Sequence, residues 1–369
     1  MSEIKVNSIK GVSASSAAIS VDNSSGSATA NLTTVNSVTM PNGGFLSNRN
    51  KIINGSMLCS QRGQTFTSPS NTDCTLDRFR INHSMGGAIT VTQSTTSPDG
   101  FSRSLKVDVT TADTIGAGEY LQINHKVEAR DLQDLAFGTS SAKNFTFSFY
   151  VRSNVTGTYT TSIQLPDDSA KQVSQTYTIN SADTWERKSF TFTGDTSGVI
   201  NDDNGIGMNI YWQLAIGSNY TGGSSSTTFQ ANSDPNFAAG HTANLLSSTS
   251  NEFYLTGVQL EVGSVATDFE HRSFAQELAL CQRYYFIQMS SKHNSSSDYE
   301  IEFITANMRA TPTATRLSNV YFGGESSTSF SSIETNTTNQ SSEVVTMVYV
   351  LRNTSDANCG GKYAFDAEL

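Results

Sequence analysis

Residues 144–153 read NFTFSFYVRS. Phenylalanines stand at 145, 147 and 149, with Thr and Ser between them. Successive side chains of a strand point to opposite faces, so the three rings fall on one side. SFTFTG, at 189–194, does the same with Phe190 and Phe192. Period-two burial of large rings in neighbouring segments means sheet faces packed against each other. The two segments predict an all-β sandwich.

Working outward, further strands are predicted at 88–94, 104–110, 118–128, 158–165, 172–180, 185–194, 207–217 and 251–263, set between turn residues. ARDLQDLAFG (129–138) reads as one helical turn, and 218–250 as a long polar surface excursion. In VQLEVGSVATDFEHR, Val258, Leu260 and Val262 are expected to point inward. Thr267, Asp268 and Glu270 are expected outward or at a turn. FAQELALCQRYYF (274–286) places Phe274, Leu278, Cys281 and Tyr285 at helical spacing, with Glu277 near the start, which predicts a short amphipathic helix. Strand patterns resume at 299–308, 343–352 and 361–369.

Residues 1–45 alternate short apolar pairs with Ser, Thr, Asn and Gly, and cannot bury a core of their own. The expected organisation is an N-terminal extended arm (1–45), a central jelly-roll β-sandwich (46–273), a linking helix (274–286) and a small C-terminal β domain (287–369). The arm is expected to order against identical chains or a larger assembly.

Composition narrows the function. Of 369 residues, 36% are hydrophobic and only 15% charged, the balance being rich in Ser, Thr, Asn and Gly. Those residues compete with the helical backbone, which disfavours a helix-rich enzyme. The net charge of −10, without a Lys/Arg cluster, argues against nucleic acid as a partner. No run reaches the length of a membrane span, and MSEIKVNSIKG lacks the apolar core of a secretory signal. Membrane insertion is not expected, and synthesis and folding in a cytoplasm are.

Catalytic and metal motifs are missing. His83, His125, His241, His271 and His293 are scattered, and the cysteines Cys59, Cys74, Cys281 and Cys359 share no zinc spacing. A disulfide between Cys59 and Cys74 cannot be read from the sequence. Neither GxSxG nor a Gly-rich phosphate loop occurs. The adjacent pairs Asp167-Asp168 and Asp202-Asp203 read as solvated turn formers rather than paired catalytic acids. Asp202 and Asp203, followed by Asn-Gly, can supply oxygen ligands to calcium but lack the EF-hand spacing. No cofactor is expected and no enzyme activity. Trp185, after a turn, is expected in the core. In YWQL one of Tyr211 and Trp212 must point out of a regular strand, and Tyr220 sits in a Gly-rich loop. Tyr211, Trp212 and Tyr220 are therefore candidates for stacking on sugar rings.

NRNKIINGSM (48–57) with SQRG (60–63), TLDRF (75–79), FGTSSAKNFTFSFYVRS (137–153), TYTINSADTWERKSFTFTGDTSG (176–198), NGIGMNIYWQLAIGSNYTG (204–222) and 253–285 resemble, in order, a β-sandwich domain of phage tail fibre and virion appendage proteins. MLCSQRG (57–63) departs from it, lacking the aromatic that often precedes Gln-Arg-Gly. The resemblance implies a jelly roll similar to carbohydrate-binding modules. It further implies a homotrimer, attachment to other phage structural proteins through the N-terminal arm, and a host-surface glycan or protein receptor. The virion is the implied location. NMRATPT (307–313) and the terminal DAEL resemble the small β domain that ends such fibres. As a host-contacting tip this domain offers Tyr299, Arg309, Tyr321 and Tyr363. A head fibre or capsid decoration protein, a stand-alone carbohydrate-binding module and a polysaccharide-degrading enzyme are the alternative readings. The last lacks both a catalytic constellation and the repeats of a β-helix.

Overall fold

The computed structural model describes residues 48–288, 308–310, parts of 312–317 and 364–369 with their side chains. Elsewhere it describes only the backbone of certain strands. Most of the 1–45 arm, Tyr299 and Tyr321 lie outside the described residues, and Tyr363 is described only as backbone within the strand Asn358–Asp366.

Thirteen strands form two antiparallel sheets. The six-stranded sheet contains β1 (Thr65–Thr67), β4 (Ala88–Ser94), β5 (Ser104–Thr111), β7 (Phe145–Ser153), β10 (Glu186–Phe192) and β13 (Glu252–Val262), ordered β10-β7-β13-β5-β4-β1. The seven-stranded sheet contains β2 (Asp73–Cys74), β3 (Phe79–Ser84), β6 (Tyr120–Glu128), β8 (Gly157–Leu165), β9 (Lys171–Ile179), β11 (Ile206–Ile216) and β12 (Ser226–Gln230), ordered β12-β9-β8-β11-β6-β3-β2. The chain crosses repeatedly between the sheets, and their inner faces make one continuous core.

The phenylalanine pattern sets the packing. Phe145, Phe147 and Phe149 are fully buried, and Phe145 and Phe147 lie opposite Phe192 and Phe190 on β10. Trp212 closes the core from the other sheet, with ring centroids 5.5 Å from Phe147, 5.8 Å from Phe149 and 6.1 Å from Phe79. Trp185 departs from its expected core position. It is half-buried on the outer side, edge-on to Tyr254 at 6.0 Å.

On β13 the inward parity changes along the strand. Phe253 and Leu255 face the core, then Val258 and Leu260 do. The shift comes from a bulge at Gly257, where φ is +60° and the register against β7 slips. A Cβ there would sit 2.7 Å from Tyr150 and 2.8 Å from Phe101, so both space and dihedral require glycine.

The NRNKIING segment lies along the outer side of this bulge. Asn50 accepts from Leu260 N at 3.1 Å and donates to Val258 O at 3.1 Å. Asn54 donates to Cys59 O and Asp77 O, both at 2.8 Å. Of the residues expected outward or at a turn, Asp268 is exposed, while Thr267 and Glu270 are half-buried and hydrogen-bonded to the sandwich. Glu261, fully buried on β13, accepts from Thr267 N and Oγ1, and Glu270 accepts from Asn50 N at 2.8 Å. Their hydrogen bonds satisfy polar groups that the overlying chain removes from water.

The helix α1 (Phe274–Gln282) starts with a capping box between Ser273 and Gln276. Cys281 is buried against Cys59, Ile53 and Tyr284. Phe274, expected on the buried face, is 58% exposed, and Tyr285 has already entered the next strand, Tyr285–His293. The buried residues of the helix are Glu277 and Cys281, because Glu277 accepts from the backbone N–H of Asn54. Tyr285–His293 pairs with Asn358–Asp366, which also pairs with Thr313–Asn319.

Residues 364–369 dock on the sandwich through a buried ionic cluster. Glu368 pairs with Arg78 and, at 3.3 Å, with Arg62; Arg62 also meets Asp366 at 2.9 Å. The Arg78 and Arg62 guanidinium groups lie over the rings of Tyr284 and Tyr285 at 3.5 and 3.6 Å. Glu128 accepts from Arg283 Nε at 3.0 Å and from the Tyr284 hydroxyl at 2.7 Å.

His125 sits in the core, its ring 4.8 Å from Phe79, with no partner for Nδ1 among the described residues. Burial, aided by Arg78, pushes its pKa well below 6.5. His241 is pushed down to about 4 by burial. Below pH 6.5 the unfolded chain takes up protons that the folded one refuses, so stability falls as pH falls. His125→Leu is expected to flatten this dependence between pH 6.5 and 5 by up to ~1.4 kcal/mol per pH unit. Urea midpoints measured across that range test it; an unchanged slope would show that His125 titrates normally.

Candidate functional site

The outer face of the seven-stranded sheet carries the site. Alternation along β6 (YLQINHKVE) sends Leu121, Ile123, His125 and Val127 inward and Tyr120, Gln122, Asn124 and Lys126 outward. On β11 Ile210 and Trp212 go inward, and Asn209, Tyr211 and Gln213 go outward. Strand pairing lines these up in rows. Gln122 lies between Asn82 of β3 and Gln213. Asn124 lies between Arg80 and Tyr211. Lys126 is opposite Asn209.

Four buried amide oxygens in these rows have no hydrogen-bond partner among the described residues: Asn82 Oδ1, Asn124 Oδ1, Asn209 Oδ1 and Gln213 Oε1. Unpaired buried polar atoms are costly and uncommon. All four have almost no accessible surface, so they make a buried amide floor closed to solvent. Their amide nitrogens are partly engaged: Asn124 donates to Ile210 O at 3.0 Å, and Gln213 to Ser162 Oγ at 3.4 Å.

An aromatic string borders this floor. Tyr120 meets Tyr220 edge-on at 6.3 Å, Tyr220 meets Phe237 at 6.5 Å, and Phe237 meets Tyr211 at 5.1 Å. All four are half-buried. Burial, with Tyr120 adding to it, pushes the Tyr211 hydroxyl up to about 12, so it remains a neutral hydrogen-bonding group. Phe237 belongs to the segment expected as a surface excursion. That segment instead folds over the sheet. Ser174 Oγ donates to Asn236 O at 2.8 Å, Gln172 Nε2 to Ser233 O at 2.7 Å, and Ser162 Oγ to Phe237 O.

The structure thus brings Tyr211 and Tyr220 together through Phe237. It removes Trp212 from the site: neighbours on a regular strand face opposite ways, and Trp212 took the core side. Its ring is fully buried and has no face for a ligand. Tyr120, Phe237 and the amides were missed, although the outward alternation of β6 carried the signal.

Arg309 is not a free tip residue. Its guanidinium donates to Asn204 O at 2.5 Å, Ala367 O at 3.0 Å and Glu368 O at 3.2 Å, and so ties the 201–205 turn to residues 364–369. Asp202 is exposed and 3.7 Å from Arg130, while Asp203 Oδ1 accepts from Gly205 N at 2.8 Å. Among the described residues no three His, Cys, Asp or Glu side chains converge, and none of the described helices is long and apolar enough to cross a membrane.

No family model matches the sequence. No curated protein matches it either. Solved structures with a similar arrangement include a family 4 carbohydrate-binding module (13% identity, 57% of this chain and 97% of that one, TM-score 0.32). Another is the family 11 carbohydrate-binding module from Clostridium thermocellum in complex with a β-1,3-1,4-mixed-linked tetrasaccharide (11%, 56% and 98%, 0.27). A third is the enzymatically active domain of tailspike protein 4 of bacteriophage CBA120 (12%, 53% of this chain, 0.30), of which this chain covers only 21%. At these identities no role passes from those proteins to this chain.

Proposed function

We propose that this chain is a bacteriophage virion appendage, a tail fibre that attaches to the host surface by adhesion, without catalysis. The sandwich binds a surface glycan on the outer face of its seven-stranded sheet. The observation that carries this reading is a string of four half-buried aromatic rings on one sheet face. A sugar ring offers CH faces to aromatics, and the half-buried rings of this face supply surface for them. The ordered resemblance across 48–286 supports the placement in a virion. A homotrimer, held through residues 1–45 and presenting 287–369 distally, turns weak contacts at each copy into avidity.

The test is binding of the full-length protein to an array of bacterial surface polysaccharides, with its mass in solution measured alongside. Wild type is expected to bind as a trimer of 39.7 kDa chains. The double variant Tyr211→Ala/Tyr220→Ala is expected to lose roughly tenfold or more in affinity for each ring that stacks, with little change in melting temperature. Equal binding by the two proteins would overturn the site. A monomer that binds would favour a lone sugar-binding module.

A further inference from the structure

We propose that Cys59 and Cys281 are the two halves of a disulfide that forms once the chain leaves a reducing compartment and that locks helix α1 to the segment leading into the sandwich. The two residues are far apart in sequence and touch in the fold, in one small cluster with Ile53 and Tyr284. Both are free thiols here, 2% and 1% exposed. Their side chains lie within hydrogen-bonding distance of each other. MLCSQRG, the stretch that departs from the phage-fibre pattern, is what supplies Cys59.

Neighbouring bonds fix where each thiol stands. On the helix, Glu277 and Cys281 are one turn apart and share the buried face. Asn54 and Cys59 face them. Glu277 accepts from the Asn54 backbone N–H, so the helix is tied to this segment one turn before the thiol contact. Arg272 adds a second tie, donating to Ile52 O at 3.0 Å. The Asn54 side chain holds Cys59 at both backbone groups: it accepts from Cys59 N and donates to Cys59 O, each at 2.8 Å. Segments tied this closely keep the sulfurs side by side, so little backbone has to move when the bond closes. Cys74, the nearer cysteine in sequence, stands elsewhere. It is half-buried on β2 beside Arg62 and Glu368, outside this cluster.

The step is thiol–disulfide exchange with a small-molecule disulfide, oxidised glutathione. One protein thiolate attacks a sulfur of glutathione disulfide, and one glutathione leaves as thiolate. The other protein thiol loses its proton and attacks the protein sulfur of the mixed disulfide. The Sγ–Sγ bond forms and the second glutathione leaves. The pair gives up two protons and two electrons, and glutathione disulfide becomes two glutathione thiols. A cytosolic glutathione pool keeps such pairs reduced, whereas oxidising surroundings outside cells favour the bond. The Cys59 thiol, and then burial, hold the Cys281 thiol well above its ordinary 9.0, so the closed seam reacts slowly and exchange proceeds when α1 opens. The bond joins distant parts of the chain, where a cross-link restricts the unfolded state most. It forms whether or not the sheet face binds a glycan.

The experiment equilibrates the full chain with mixtures of reduced and oxidised glutathione at about pH 8. One arm uses the folded protein and the other the protein refolding from urea, so that a closed seam cannot hide the pair. Acid quenching, alkylation and peptide mapping without reduction then locate the bonds. One linked pair is expected, Cys59–Cys281, with Cys74 and Cys359 alkylated. The oxidised protein is expected to melt about 5 °C or more above the reduced one. Cys74→Ala is expected to keep both the bond and the shift, and Cys59→Ala to lose both. No Cys59–Cys281 link in either arm would overturn the lock. So would a Cys59–Cys74 link in its place, or an oxidised protein no more stable than the reduced one.

Discussion

Glu368→Gln is expected to destabilise the protein by about 3–5 kcal/mol, because it takes the counter-charge from the buried Arg78 guanidinium and leaves Arg62 with Asp366. The Glu368 and Arg78 side chains are 4% and 2% exposed, and Arg62, which Glu368 also meets, is 11% exposed. The substitution keeps the shape and removes only the charge, so packing loss cannot imitate the result. Burial works against ionisation of Glu368, but Arg78 and then Arg62 outweigh it and hold the carboxyl below its ordinary 4.5. A carboxyl with a depressed folded pKa contributes stability above its unfolded value, and the contribution is lost as pH falls through the folded one. The gap between wild type and variant should therefore be full near neutrality and close in acid. Urea unfolding followed by tryptophan fluorescence at several pH values measures both. A gap that persists unchanged to pH 3 would mean that the carboxylate charge is not what matters. Limited proteolysis supplies a structural readout, since residues 364–369 should become cleavable in the variant at neutral pH.

Nine predicted strands appear within one or two residues of their expected limits, and the reason is physical. In each, burial on one face imposes a period of two that outweighs the high Ser and Thr content. The strands that escaped notice lack that pattern. Phe79–Ser84 reads FRINHS, with two apolar residues among polar ones, because its outer face holds the amide floor. Ser226–Gln230 lies at the sheet edge with half-buried or exposed side chains, so nothing periodic marks it. Along β13 the residues expected inward, Val258, Leu260 and Val262, do pack on the core; what a reading from Val258 onward cannot see is the bulge at Gly257, before which Phe253 and Leu255 take the other parity. The seam was visible as a strand, a turn and a helix. What holds it was not, because Glu368, Arg78 and Arg62 are brought together from distant parts of the chain. The candidate site was half legible. Tyr211 and Tyr220 were singled out, but the ring that joins them, Phe237, lay in a segment whose polar composition suggested a loop in water.

Tyr211 and Trp212 provide the sharpest comparison, because adjacent residues are assigned to opposite faces. Trp212→Ala is expected to cost about 3–5 kcal/mol, the range for removing a large ring from a packed core. Phe79, Phe147 and Phe149 surround the indole from both sheets and cannot all collapse into the space it leaves. The indole Nε1 has no acceptor among the described residues. Trp212→Phe therefore gives up contact area but also removes an unpaired buried N–H, itself worth about 1–3 kcal/mol, and is expected to be far milder than the alanine variant. Tyr211→Ala removes a half-buried ring from the outer face, so its main effect should fall on ligand affinity. Chemical denaturation and glycan binding measured on all three variants give a pattern that a reversed orientation cannot produce. If Trp212→Ala weakened binding at unchanged stability while Tyr211→Ala unfolded the protein, the strand would be inverted and the outer-face site would fall with it.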